Sequence, residues 1–285
     1  MQVLERSRRL SQIYLSSIPF LIFFVLIWFH ALRTPVVYPA VVGLLVTANT
    51  VAAWKLGARA IGSESEERRG LALAGILLLA PWAVITFLVG MRTPWQATEA
   101  ENQIRYAVLL IAGVLVAGGF VVLKEKLMEA DERFYSTLGF AAIMLASPLA
   151  IIWNTSALTA RPIAFHQQAS SGQIPDWAVP LQSLFRFVLA DEVVLTYLAT
   201  AAFSVALART GWLGRKTSRV FVGISLFAVQ CLAITTAVFI RSPLDPEAFV
   251  KSKIANAGFV FAIPALRLII PYLIGVNLLR RAGDE

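Results

Sequence analysis

Three charged residues inside apolar stretches are the candidates for chemistry in this sequence. Arg267 lies about 12 residues into the last apolar run, roughly 18 Å along a helix, which is close to the centre of a bilayer. Asp191 and Glu192 lie in the first half of an earlier apolar run. A charge at such depth costs at least about 2.5 kcal/mol, so we expect Arg267 to face the protein interior and to pair with one of these acids.

Pro264 and Pro271 flank Arg267 and predict a bend or a break in the helix that carries it. Each proline lacks a backbone N–H and therefore frees a carbonyl group near the buried charge. A broken helix around a buried charge is typical of the substrate sites of transporters. The sequence therefore indicates an interior binding site for a small solute or ion at Arg267.

Asp191 and Glu192 cannot both point directly at Arg267, because neighbouring residues on a helix diverge by about 100°. The second carboxylate would then be left unpaired and able to exchange protons. Arg186 precedes both acids on the same run and could neutralise one of them locally, so it completes the candidate substrate- or ion-binding set. The alternative is a buried ion pair that only fixes the packing of helices.

Four more arginines lie where outward-running helices are expected to end. Each is followed closely by proline, in the segments Leu32-Arg33-Thr34-Pro35, Met91-Arg92-Thr93-Pro94, Ala160-Arg161-Pro162 and Ile240-Arg241-Ser242-Pro243. This recurrence hints at a fold built from related helical hairpins. Arginine and proline commonly end helices, so a capping role explains the pattern. The functional alternative is a basic outer vestibule, formed by Arg33, Arg92, Arg161 and Arg241, that attracts anions.

Residues for other kinds of chemistry are scarce. The chain has one cysteine, Cys231, and two histidines, His30 and His166, which excludes a cysteine-based metal cluster and disfavours intrinsic haem. The sequence also lacks the nucleophile-elbow, P-loop, zinc-protease and dinucleotide-binding motifs. It therefore assigns no metal site and no cofactor, and it disfavours an enzyme.

The elements that must position these residues are predicted to be membrane-spanning helices. Of the 285 residues, 58% are hydrophobic and 15% are charged, whereas soluble domains average about 25% charged. A helix needs roughly 20 apolar residues to cross a bilayer. The apolar runs near that length are 13–32, 36–54, 71–90, 104–123, 134–153, 184–208, 219–240 and 255–279.

These runs predict an all-α integral membrane protein. We expect a single polytopic domain over 1–285, a bundle of about eight transmembrane helices arranged as antiparallel hairpins. The run 36–54 is short and polar, and without it the count is seven. One connection, 154–183, is long and rich in polar residues and proline, so we expect an outer loop there, or a loop that contains a short interfacial helix.

The distribution of basic residues predicts the orientation of the chain. Basic residues favour the side that holds the N-terminus about two to one, which indicates that both termini are cytoplasmic. The first apolar run is long and no small-residue cleavage site follows it, so we expect an uncleaved helix in a plasma (inner) membrane. The net charge of +8 is explained by this orientation, and we expect no nucleic-acid partner.

Together these features favour a transporter or channel for a small solute or ion, with the lipid bilayer and a small anionic solute or ion as its partners. The alternative is a membrane anchor that transports nothing, or a quinone-contacting subunit of a larger complex. An intramembrane enzyme acting on lipid is disfavoured, because the sequence has no paired catalytic carboxylates and no histidine-rich site.

Overall fold

A computed structural model describes residues 2–28, 37–86, 88, 91, 97–171, 175–241 and 264–284, and within these ranges the chain is helical and has no β-strand. The α-helices in chain order are α1 (Gln2–Trp28), α2 (Val37–Leu56), α3 (Glu66–Thr86), α4 (Glu99–Glu129), α5 (Phe134–Ser171), α6 (Ala178–Arg209), α7 (Arg215–Arg241), α8 (Pro264–Arg267) and α9 (Ile269–Asp284). A short 3-10 helix, Ala58–Gly62, lies between α2 and α3.

Five segments are long and apolar enough to cross a bilayer. They are Glu66–Ile85, Glu99–Glu129, Phe134–Ala160, Ser183–Arg209 and Arg215–Val238. A shorter apolar helix covers Ala40–Leu56, and α1 and α9 overlap the predicted runs 13–32 and 255–279. The helical architecture is therefore as predicted in the described residues, and it is that of a polytopic membrane protein. The count of eight crossings and the cytoplasmic position of the termini stay predictions.

The segment 154–183 corrects an expectation, because most of it is helix and not loop. Helix α5 continues to Ser171, and α6 already begins at Ala178. The 38 residues of α5 span roughly 57 Å, well beyond a hydrocarbon thickness of about 30 Å. Polar side chains outside the hydrocarbon can bond to water while the backbone stays helical, so polar composition by itself did not distinguish this helix from a loop.

Consecutive helices pack against one another from α3 to α7, and α9 packs against α3. The α3–α9 contact is close because two glycines face each other across it. A Cβ atom on Gly275 would lie 2.9 Å from the Gly75 carbonyl oxygen, which is shorter than an ordinary contact. Larger residues at these two positions would therefore push the two helices apart.

The core between the helices is filled largely by aliphatic and aromatic side chains. Phe120 of α4 stacks on Phe203 of α6 with ring centroids 4.6 Å apart, and Trp82 of α3 meets Tyr272 of α9 edge-on at 5.9 Å. Tyr272 also donates a buried hydrogen bond to the Leu15 carbonyl oxygen of α1, at 2.9 Å. These contacts make α9 a central helix that touches several others.

One end of the bundle holds both ends of the described chain, and we call it the terminal end. Arg8 Nη2 lies 3.2 Å from Asp284 Oδ1, which joins α1 to the end of α9. Asn277 Nδ2 donates to the Trp212 carbonyl oxygen at 2.6 Å, which places the α6–α7 connection at the same end. An even number of crossings has this property, because each pair of crossings returns the chain to the side on which it started.

Candidate functional site

A buried ion pair joins α8 to α6. Arg267 Nη1 donates to Glu192 Oε2, and the two residues are 6% and 5% exposed, respectively. The contact connects residues that are 75 positions apart in the sequence. Both charges are therefore removed from solvent together, and each supplies the compensation that the other needs.

The backbone around Arg267 explains why the charge lies at a helix end. Helix α8 ends at Arg267, and α9 begins after a single turn residue, Leu268. In a continuous helix the N–H of residue 271 would bond to the Arg267 carbonyl group, but Pro271 has no N–H to donate. Pro264 lies at the edge of the described residues. The predicted interruption of the helix is confirmed at Leu268, beside Pro271.

Glu192 has a second polar neighbour on its own helix. Thr196 Oγ1 lies 3.3 Å from Glu192 Oε1 and also bonds to the Glu192 backbone carbonyl oxygen at 2.9 Å. Each carboxylate oxygen of Glu192 therefore meets a different polar group, Oε2 the guanidinium and Oε1 the hydroxyl. The acid is held on two sides inside an otherwise apolar helix interface.

The guanidinium of Arg267 donates fewer hydrogen bonds than its five N–H groups allow. Within the described part of the chain Glu192 is its hydrogen-bond partner, through Nη1 alone. A guanidinium carries five N–H donors in a planar fork, so most of these donors have no protein acceptor in that part of the chain. Chemically, the site offers a buried cation with spare donors, which is suited to an anion.

A stripe of buried hydroxyls continues from Glu192 along α6. Thr196, Thr200 and Ser204 follow at intervals of four residues, and each donates to the carbonyl oxygen four residues before it. Ser218 of α7 donates to the Ser204 carbonyl oxygen at 2.7 Å and so links the stripe to the next helix. Sequence reasoning missed this stripe, although its spacing of four residues from Glu192 was visible.

Other buried polar atoms lie on α2, α5 and α7. Three side-chain oxygens that are buried have no hydrogen-bond partner among the described residues: Asn49 Oδ1, Asn154 Oδ1 and Ser225 Oγ. Asn154 belongs to α5 and Ser225 to α7, both of which pack against α6. Buried acceptors of this kind normally bond to water or to a ligand when no protein donor is near. These three oxygens therefore lack the hydrogen bond that a buried acceptor usually makes.

The other predicted members of the site lie apart from the pair. Asp191 is exposed on a different face of α6 and does not contact Arg267. Arg186 is also exposed. Of the two acids that the sequence offered to Arg267, the structure places Glu192 against it. Whether these residues bind a substrate stays a prediction.

The predicted outer vestibule falls largely on parts of the chain that the structure does not describe. Arg33 and Arg92 lie outside the described residues, and the side chains of Arg161 and Arg241 do too. The backbone at Arg161 corrects one premise, because α5 continues past Arg161 and Pro162 to Ser171. Proline is tolerated there at the loss of one backbone hydrogen bond, so the Arg-Pro pair does not end this helix.

Metal binding finds no support in the described residues, which contain no cluster of three or more histidine, cysteine or acidic side chains. Cys231 is a free, partly buried thiol on α7. The features that remain are the Arg267–Glu192 pair, the interrupted helix beside it and the hydroxyl stripe.

The chain was compared with protein-family models, with curated proteins and with solved structures, and none of the three comparisons returned a match. The described helices are those of a polytopic helical membrane protein.

Proposed function

We propose that this chain transports a small anion across the membrane, with the Arg267–Glu192 pair at the centre of the substrate site. The observation that carries the proposal is a buried guanidinium at a helix interruption, with most of its donors uncommitted in the described part of the chain. Interrupted helices place free backbone groups and charges at the sites where transporters bind ions. Arginine is the side chain best suited to bind an anion there, because its donors match carboxylate and oxyanion geometry.

In the proposed cycle, the Arg267–Glu192 pair alternates with an arrangement in which substrate is bound to Arg267. While no substrate is bound, Glu192 is paired with Arg267, so the two buried charges cancel. A substrate anion displaces Glu192 and takes its place on the guanidinium. The unpartnered oxygens of Asn154 and Ser225 supply further polar positions on neighbouring helices.

The competing candidate is a membrane subunit that transports nothing. One observation favours it: the pair ties α8 to α6, as a device that only fixes helix packing would do. The two candidates differ in whether Arg267 ever binds anything other than Glu192. An anion-binding measurement therefore separates them.

The experiment uses the purified full chain in detergent and in liposomes. Chloride, nitrate, sulfate and succinate are tested for thermal stabilisation and for uptake of labelled anion. An anion at 100 times its dissociation constant stabilises a folded protein by about 2.7 kcal/mol, which gives a measurable rise in Tm. We expect at least one of the four anions to stabilise the wild type and to enter liposomes.

Two arginine variants provide the matched comparison. Arg267→Gln should abolish the anion-dependent rise in Tm. Arg105→Gln should keep it, because Arg105 is a second buried arginine that hydrogen-bonds to Asn102 on α4 and takes no part in the pair. If none of the four anions stabilises or enters with the wild type, the transport proposal fails and the packing role is favoured.

A further inference from the structure

The closed ion pair sets a condition on any anion that reaches Arg267. Glu192 and Arg267 are both almost fully buried, and their charges cancel. If an anion took the guanidinium while Glu192 stayed ionised, two negative charges would share one positive charge inside the bundle. An uncompensated buried carboxylate is strongly destabilising, so this arrangement is far less favourable than the empty site.

We infer that each anion bound at Arg267 is accompanied by one proton bound at Glu192, so that the two ions cross the membrane together. This inference rests on the proposed function and adds its energy coupling. On loading, an O–H bond forms on the Glu192 carboxyl group, its hydrogen bond from Arg267 Nη1 is broken, and the anion accepts that donor. For a monovalent anion the site is neutral before and after loading, and no oxidation or reduction takes place.

Thr196 provides a partner for the protonated acid. Its hydroxyl hydrogen bonds to the Glu192 backbone carbonyl oxygen, while its oxygen lies 3.3 Å from Glu192 Oε1. A hydroxyl oxygen has lone pairs free to accept a hydrogen bond, so it can accept the new O–H of a neutral Glu192. The acid therefore keeps one buried hydrogen bond when Arg267 turns to the anion.

Other titratable groups near this part of the bundle do not replace Arg267 in this role. The described ones on or beside α6 and on the helices around it, away from the terminal end, are Arg186, Asp191, Tyr197, Asp176, Glu99, Glu101, Arg105, Tyr106, Cys231, Tyr14 and Tyr272. Tyrosine and cysteine are ordinarily neutral near pH 7. Asp191, Arg186, Asp176 and Glu99 are exposed. Glu101 accepts a hydrogen bond from the Thr98 backbone N–H, and Arg105 hydrogen-bonds to Asn102. Among the described residues, the charged group in contact with Glu192 is Arg267.

The test measures how anion affinity depends on pH. If one proton binds with each anion, the apparent Kd of the wild type for the stabilising anion should rise about tenfold per pH unit wherever the empty site holds Glu192 ionised. Glu192→Gln mimics the protonated acid, so its Kd should not change with pH. Asp191→Asn removes the neighbouring carboxylate on the same helix and should keep the wild-type slope.

A second measurement uses only the wild type, in case Glu192→Gln does not fold. Addition of the anion to weakly buffered protein in detergent should remove one proton from solution per anion bound. In liposomes that contain a pH-sensitive dye, an inward gradient of a monovalent anion should acidify the interior without generating a membrane potential.

The outcomes separate the two proposals. If no anion binds or enters, the transport proposal itself fails. If an anion binds and enters, but with no proton uptake and a Kd that is independent of pH, anion transport stands and the coupling inference is overturned. A pH slope that survives in Glu192→Gln and disappears in Asp191→Asn would assign the proton to the other acid and would also overturn it.

Discussion

The terminal end of the bundle and the Arg267 site stabilise the same last helix in opposite ways. At the terminal end α9 is held by several partly exposed contacts, among them the Arg8–Asp284 ion pair and a hydrogen bond from Arg68 Nε to the Ala282 carbonyl oxygen at 3.1 Å. At its other end α9 adjoins α8, where one buried ion pair makes the connection to α6. Partly solvated contacts hold one end of α9, whereas at the other end the buried Arg267–Glu192 ion pair acts beside the buried Tyr272–Leu15 hydrogen bond.

The difference in solvation predicts a difference in energy. Exposed ion pairs are each worth about 1 kcal/mol or less, because water screens them and either partner can be solvated alone. Removal of one partner from a buried pair costs about 3–5 kcal/mol, because the other charge is stranded. The same kind of contact should therefore matter little at the terminal end and greatly at Arg267.

The largest effect is expected for Arg267→Leu, which leaves Glu192 without its cation. We expect a loss of about 3–5 kcal/mol in the free energy of unfolding, measured by thermal unfolding in detergent. Adding Glu192→Gln should recover part of this loss, because no charge is then stranded. Adding Asp191→Asn instead should recover nothing. Strictly additive losses for Glu192→Gln and Arg267→Leu would show that the pair is not energetically coupled.

A smaller effect is expected at the close contact of α3 with α9. A Cβ on Gly275 would press on the backbone of α3, so Gly275→Ala should cost about 1–3 kcal/mol. Gly113 of α4 is the matched control, since a Cβ there meets nothing within 4 Å. Gly113→Ala should be neutral or stabilise the helix slightly. Equal Tm values for the two variants would contradict the close packing of α9.

The smallest effect is expected for Asp284→Asn at the terminal end. The Asp284 side chain is 54% exposed, so loss of its pairing with Arg8 should change the free energy of unfolding by less than about 1 kcal/mol. High salt should remove even that difference, because it screens exposed charges. The loss caused by Arg267→Leu should persist in the same salt. A large, salt-independent loss of free energy of unfolding for Asp284→Asn would contradict the predicted difference in energy between the two ends.

Much of the membrane architecture could be predicted from the sequence because it depends on local composition. Apolar runs of suitable length predicted helices wherever the structure describes them, and Pro264 and Pro271 predicted the interruption at Arg267. The same reasoning failed at 154–171, since a polar helix beyond the hydrocarbon resembles a loop in composition. Length and hydropathy report the solvent around a segment, and they do not report whether its backbone is helical once water is available.

By itself, the sequence determined that a charge lay deep in the last apolar run and that it needed an acid from elsewhere in the chain. It could not choose between Asp191 and Glu192, because they differ only in the direction in which each leaves α6. Only the tertiary structure decided, since the packing of α8 beside α6 placed Arg267 against Glu192 and left Asp191 exposed. The depth of a residue follows from its position in a run, whereas its partner depends on how each helix is rotated against its neighbours, and that rotation is set by contacts between distant segments.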